Sequence, residues 1–226
     1  MRYCGVVPVG GLLQLAMLEE ERTPQPPVRL SALFFEPGSA AQVAGELRSL
    51  REVVVGVGAP SAPRGYDDLL RARGIPPARP DGEAGSLLGA LADLGVFTGA
   101  GDGDHGLVPD GAYRAAPVFE TNPDGVFCAL QGRRLPAKRH PHGMRLRIHE
   151  LEQDRVVDEG GALWHRRSEE IDAAGAALCA HRYAVGHASW LGRRGEAVVV
   201  LPGSSLPERF GSEGVLPPVE RLQLQA

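Results

Sequence analysis

The segment APVFETNPDG, residues 116–125, has the spacing of a buried strand running into a turn, yet it sets a carboxylate, Glu120, where the pattern asks for an apolar side chain. An isolated buried carboxylate is costly, so Glu120 must reach solvent, a hydrogen-bond donor or a metal ion. A second pair of acids stands in SEEIDAAGAALCAHRYAVG, residues 168–186. Glu169 and Asp172, three apart, project from one side of the first turn of a helix that Ser168 can cap. The small residues from Ala173 to Ala177 let that helix lie close to a sheet and carry the two carboxylates toward strand ends. Acids at a helix N-terminus also complement the macrodipole without any chemistry. Both readings stand at this point.

Basic residues concentrate in RRLPAKRHPHGMRLRIH, residues 133–149, which holds Arg133, Arg134, Lys138, Arg139, Arg145 and Arg147, three histidines and no acid. Such a stripe suits the phosphates of DNA or RNA, with an affinity that falls with salt, although a solvated face balancing acids elsewhere has the same composition. His140 and His142 lack a clear third ligand for a metal. Asp102 and Asp104 in GDGDHG lack the later ligands of a calcium loop and read as a polar turn. Cys128 and Cys179 sit in apolar surroundings, as core thiols do.

The stripe stands out because the chain is acidic overall, with a formal net charge of -4 over 226 residues. Nothing global attracts nucleic acid or an anionic membrane, so a polyanion site must be a local patch. Lys138 is the one lysine among 24 basic residues, a bias that keeps abundant arginine from being evidence of phosphate binding by itself. Three cysteines with no CxxC pair point away from a disulfide framework or zinc knuckle and toward a reducing cytoplasm. No run approaches the roughly 18 apolar residues of a membrane span, and the start lacks the sections of a signal peptide. The expectation is a cytoplasmic protein with no membrane association.

The elements that must position these residues follow from periodicity and turn chemistry. Strands are expected at 2–9 and 12–20, joined by Gly10-Gly11, and at 28–35 after the proline-bearing turn ERTPQPP. A helix over 38–52, capped at Ser39, leads to the apolar run VVVGVGAP, residues 53–60, which has the character of a strand covered on both faces. Helices at 64–74 and 85–97 precede a long loop at 98–114 and the 116–120 strand. Two more helices, near 143–155 and 168–186, and a strand at 196–202 complete a domain spanning 1–202. Residues 203–226, rich in Pro, Gly and Ser, are expected as an extended tail.

Taken in order, these segments resemble the family called domain of unknown function 429, whose members are predicted nucleases of the RNase H fold. The resemblance rests on GVVPVGG, on VVVGVGAP followed by RGYDDLLRARG, and on FETNPDGVFCALQG with Lys138 and Gly143-Met144-Arg145 behind it. Most specific is EEIDAAGAALCAHRYAVG with WLGRRGEAVVVLP. It implies a mixed sheet of five to six strands, antiparallel hairpin strands extended by parallel ones, with helices on both faces. It also implies an acidic cluster at the strand ends, with Mg or Mn as cofactor if the protein is active, and with Glu120, Glu169 and Asp172 as catalytic candidates. Of these, Glu120 and Asp172 would be the metal ligands.

Two positions depart from that pattern. The family's first strand carries an aspartate where this chain has Val7, and a second aspartate precedes Ala-Pro where this chain has Gly58. Magnesium demands near-octahedral oxygen coordination, so both losses should impair a two-ion site, and a soft Cys4 thiolate is no substitute. The expectation is a divergent member with an impaired two-metal site, its hydrolysis weakened or abolished, that keeps nucleic-acid binding through the 133–149 stripe. Three alternatives remain open: an active nuclease that recruits Glu120, Glu169 and Asp172, with Asp67 or Asp68, around one ion; a scaffold that binds a protein partner through the 203–226 tail or the 98–115 loop; and a phosphotransferase.

Overall fold

Gly10 and Gly11 adopt left-handed φ values of 56° and 80°, a geometry glycine accepts without strain, and so fold β1 (Arg2–Val9) back onto β2 (Leu12–Glu21). In this computed structural model, which describes residues 1–21, 29–193 and 196–211, β3 (Arg29–Phe34) adds antiparallel to β2. Beyond Glu21, the expected ERTPQPP turn lies outside the described residues. Ser39 caps α1 (Ala40–Ser49), and β4 (Val53–Val57) then returns parallel to β1. Next come α2 (Tyr66–Ala72), α3 (Gly82–Ala90), β5 (His105–Leu107) and β6 (Val118–Thr121), the last parallel to β4. The chain continues through α4 (Pro123–Gln131), α5 (Pro141–Gln153), β7 (Val156–Asp158), α6 (Ser168–Ala184), β8 (Ala188–Leu191) and β9 (Val199–Pro202).

The strands form one nine-stranded mixed sheet in the order β5-β8-β9-β6-β4-β1-β2-β3-β7, not the five or six expected. The unforeseen β5, β7 and β8 have only three or four residues each, too few for an alternating pattern to register. Alternation along β1 serves two cores. Tyr3 and Val7 join the cluster containing Phe127, Leu151 and Ile171 of α4, α5 and α6, while Cys4 and Val6 join Val43, Leu47 and Leu87 of α1 and α3.

α4 corrects a second expectation. Asn-Pro and Asp-Gly are turn dipeptides, but here Asn122 caps a helix, its side-chain oxygen accepting the Gly125 N–H at 2.7 Å, with Pro123 at the first helical position. At the start of α6, Ser168 is the first helical residue and not the cap, and the Glu170 carboxylate accepts the Arg167 N–H at 2.8 Å. Residues 203–211 lie against the domain: Phe210 is buried in the larger core and donates its N–H to the Arg73 carbonyl. Residues 212–226, the rest of the 203–226 tail that the scaffold alternative would use, lie outside the described residues.

The alanine-rich face of α6 does what its small side chains imply. A Cβ on Gly5 of β1 would stand 2.0 Å from the Ala173 carbonyl oxygen and 2.3 Å from the Ala177 nitrogen, so helix and sheet touch backbone to backbone. That contact fixes the first turn of α6, and with it Asp172, beside the carboxyl end of β1. Among the described residues no helix is long and apolar enough to cross a membrane.

Candidate functional site

The parallel strands β1, β4 and β6 run in the same direction, so Val7, Gly58 and Asn122 come together at their carboxyl ends, where open α/β sheets bind ligands. A cleft of about 400 Å³ opens there, lined also by Arg79, Asp124, Lys138 and Asp172. A second hollow of about 340 Å³, lined by Arg134, Arg139 and Arg147, shares Pro76, Asp124 and Lys138 with it. The two are halves of one groove.

Asp172 is 3% exposed. Its Oδ2 accepts a hydrogen bond from the Lys138 ammonium, and its Oδ1 is buried without a partner among the described residues. Burial pushes the Asp172 carboxyl up to about 6, with Asp124 adding repulsion and Lys138 pulling the other way. Burial alone would lower the Lys138 ammonium, but the charge and hydrogen bond of Asp172, with Asp124 and Glu169, hold it above the ordinary lysine value. Glu169 is half-buried and lines neither half of the groove. Burial would raise its carboxyl, but hydrogen bonds from its own backbone and from Ser168, with Lys138 and Arg167 near, bring it below the usual range.

Glu120 is answered by donors within the chain. The carboxylate, 3% exposed, accepts the Tyr66 hydroxyl at 2.6 Å and Arg64 Nε at 3.2 Å, with a second guanidinium nitrogen on its other oxygen. It lines neither half of the groove. Next to it, Asp67 accepts the Arg64 backbone N–H at 3.2 Å, while exposed Asp68 pairs with Arg71.

The basic stripe divides by position. Arg134, Lys138 and Arg139 line the groove. Arg147 is buried: it donates to the carbonyls of Pro136 and Gly143, each at 3.0 Å, binds Asp124, and lies over the Phe127 ring. It holds the 136–143 segment in place, and its remaining nitrogen, Nε, is buried without a partner among the described residues. Arg133 donates to Gln131 at 2.9 Å, and Arg145 is exposed on α5 away from the groove lining. His140 serves as the N-cap of α5, Asp104 bonds His105, and Cys4, Cys128 and Cys179 are buried free thiols. Arg79 and Asp124 were not foreseen. Asp124 stands in a segment with the chemistry of a turn, and no periodicity or motif marks Arg79 in its proline-rich loop.

A pair of hard divalent ions needs several carboxylate oxygens converging on a few cubic ångströms. Val7 and Gly58 supply none, Glu120 is saturated by Arg64 and Tyr66, and Asp124 is bound to Arg147. Asp172 retains one free oxygen. Among the described residues no three His, Cys, Asp or Glu side chains are placed to hold a metal. This donor set does not fit two ions.

The decisive comparison concerns the stretch that carries Glu120, Lys138 and Asp172. Residues 95–196 match the family model described as Protein of unknown function (DUF429). The DUF429 segment covers β5 through β8 and leaves Val7 and Gly58 outside it. No curated protein matches the chain. Among solved structures, one titled "Thermus thermophilus RuvC structure" is similar at 18% identity and a TM-score of 0.41, covering 88% of this chain and 100% of that one.

Proposed function

We propose that this DUF429 protein is an RNase H-like, nuclease-derived protein that binds DNA or RNA in the groove and has lost two-ion hydrolysis. The strand order β3-β2-β1-β4-β6, with its first three strands in sequence antiparallel and the next two parallel, supports the RNase H-like assignment that the sequence motifs imply. The observation that carries the binding is one of charge. Both acids lining the groove have their own cation, Lys138 for Asp172 and Arg147 for Asp124, whereas exposed Arg79, Arg134 and Arg139 have no ion-pair partner among the described residues. Three uncompensated guanidinium groups attract a polyanion and repel a divalent cation. Three unpaired buried thiols support residence in the cytoplasm.

Filter binding of short DNA and RNA at two salt concentrations tests this. Retention should fall steeply with salt, and Arg134→Ala with Arg139→Ala should weaken it and shallow the salt slope by about one per residue removed. Retention insensitive to salt, or unaffected by the arginine variants, would refute the groove as the binding site. Metal-dependent cleavage that disappears in Asp172→Asn would instead restore the hydrolytic reading.

A further inference from the structure

Two of the residues that line the groove carry a buried polar atom without a hydrogen-bond partner among the described residues, Arg147 Nε and Asp172 Oδ1, and the second is the acceptor. Oδ1 of Asp172 is buried without a hydrogen bond, on a side chain 4% exposed whose other oxygen is taken by Lys138. A buried acceptor left unpaired is costly, and it marks a place where something else brings a donor. The surrounding wall of Val7, Pro8, Ala59 and Pro123 is apolar and offers none. The donor cannot be a phosphate, which carries only acceptors at neutral pH and would repel the carboxylate. It must be an O–H or N–H, and with one oxygen available in so closed a position, a small single donor such as a hydroxyl fits. Across Lys138, in the other half of the same groove, stand Arg134 and Arg139. A ligand spanning both halves therefore presents phosphate on one side and a hydroxyl on the other.

Building on the nucleic-acid reading above, we infer that Asp172 Oδ1 accepts the 2′-hydroxyl of a ribose, so that the groove selects RNA over DNA. The 2′-hydroxyl is the group that separates the two polymers at any one site. The apolar wall that includes Val7 keeps the hydrogen bond in a low-dielectric setting, where it is strongest.

Fluorescence anisotropy on the full chain with three oligonucleotides of one sequence (RNA, DNA and 2′-O-methyl RNA) provides the test. RNA should bind about tenfold more tightly than either of the others, the worth of one hydrogen bond to a charged acceptor. Asp172→Ala should bring the ratio to about one, whereas Arg134→Ala should weaken all three by a similar factor. Equal binding of RNA and 2′-O-methyl RNA by the native protein overturns the inference, as does a preference that survives Asp172→Ala. The 2′-O-methyl comparison decides the matter even if that variant does not fold. If all three bind alike only the RNA selectivity falls, and if none binds the proposed function falls with it.

Discussion

Gly5→Ala adds one methyl group at the point where α6 rests on β1. The new carbon would lie 2.0 Å from the carbonyl oxygen of Ala173 and 2.3 Å from the nitrogen of Ala177, both backbone atoms that no rotamer change can move. To reach an ordinary contact, α6 must retreat by about 1.5 Å along much of its 17 residues, which opens gaps in a core packed at crystal-like density. Overpacking commonly costs about 1–3 kcal/mol, and a backbone obstacle puts this site at or above the upper end. For a chain of this size each kcal/mol moves the midpoint by about 2–4 °C, so thermal unfolding should shift down by roughly 6–12 °C. Gly45→Ala is the matched control. Gly45 lies inside α1 with nothing within 4 Å of an added Cβ, and the same methyl should stabilise by about 0.5–1 kcal/mol. Circular dichroism melts of both variants check the pair. A Gly5→Ala midpoint within about 2 °C of the native protein would refute the backbone-to-backbone contact that positions Asp172.

Gly58 and Val7 should be coupled: a Cβ on Gly58 meets Val7 Cγ1 at 2.6 Å, so Gly58→Ala should cost about 1–3 kcal/mol alone and clearly less in a Val7→Ala background, as a double-mutant cycle by urea unfolding would reveal. Because burial pushes the Asp172 carboxyl up to about 6 when folded, against the ordinary aspartate value of about 3.9 when unfolded, the native state binds the extra proton between those values. Its contribution to stability therefore falls as pH rises through that window, by at most about 3 kcal/mol, and is flat above it. Asp172→Asn should remove that slope, so its midpoint relative to the native protein should climb between pH 4.5 and 7; a constant difference would contradict the burial argument. Arg147→Met leaves the carbonyls of Pro136 and Gly143 and the Asp124 carboxylate without their donor, and should destabilise by about 3 kcal/mol in chemical unfolding. Removal of Arg64 in Arg64→Ala should likewise lower the melting midpoint, since Glu120 then keeps Tyr66 alone while 3% exposed.

The strands and helices with long periodic signals were legible in the sequence: β1, β2 and β3, the buried β4 that the VVVGV run forms, and the helix whose alanines let it approach the sheet. What escaped was short or ambiguous. Three-residue β5 and β7 carry no period, and Asn-Pro-Asp-Gly obeys the rules for a turn and for a helix start equally well until the following residues are packed. At the site, the question posed by Glu120 was legible but its answer was not. The partner Arg64 lies 56 residues away, and only the tertiary fold brings it near. In the same way, Arg147 and Arg134 look alike in sequence, but the α5 register buries the first against the Phe127 ring while the second remains on the loop facing the groove.

The division of charge gives these arrangements a common logic. Glu120, Asp172 and Asp124 are the carboxylates at or near the strand ends, and each is matched to a cation from the chain itself: Arg64, Lys138 and Arg147. In a two-ion site the carboxylates stay uncompensated until the ions arrive, since their mutual repulsion is what the ions relieve. Here that repulsion is already relieved by covalently tethered charges. A divalent ion would have to displace Lys138 to reach both oxygens of Asp172, while Arg79, Arg134 and Arg139, without ion-pair partners among the described residues, repel it on approach. On the proposal made here, the same field favours the other kind of guest. Phosphates meet these arginines, and the one unsatisfied oxygen of Asp172 is left to distinguish which polymer carries them.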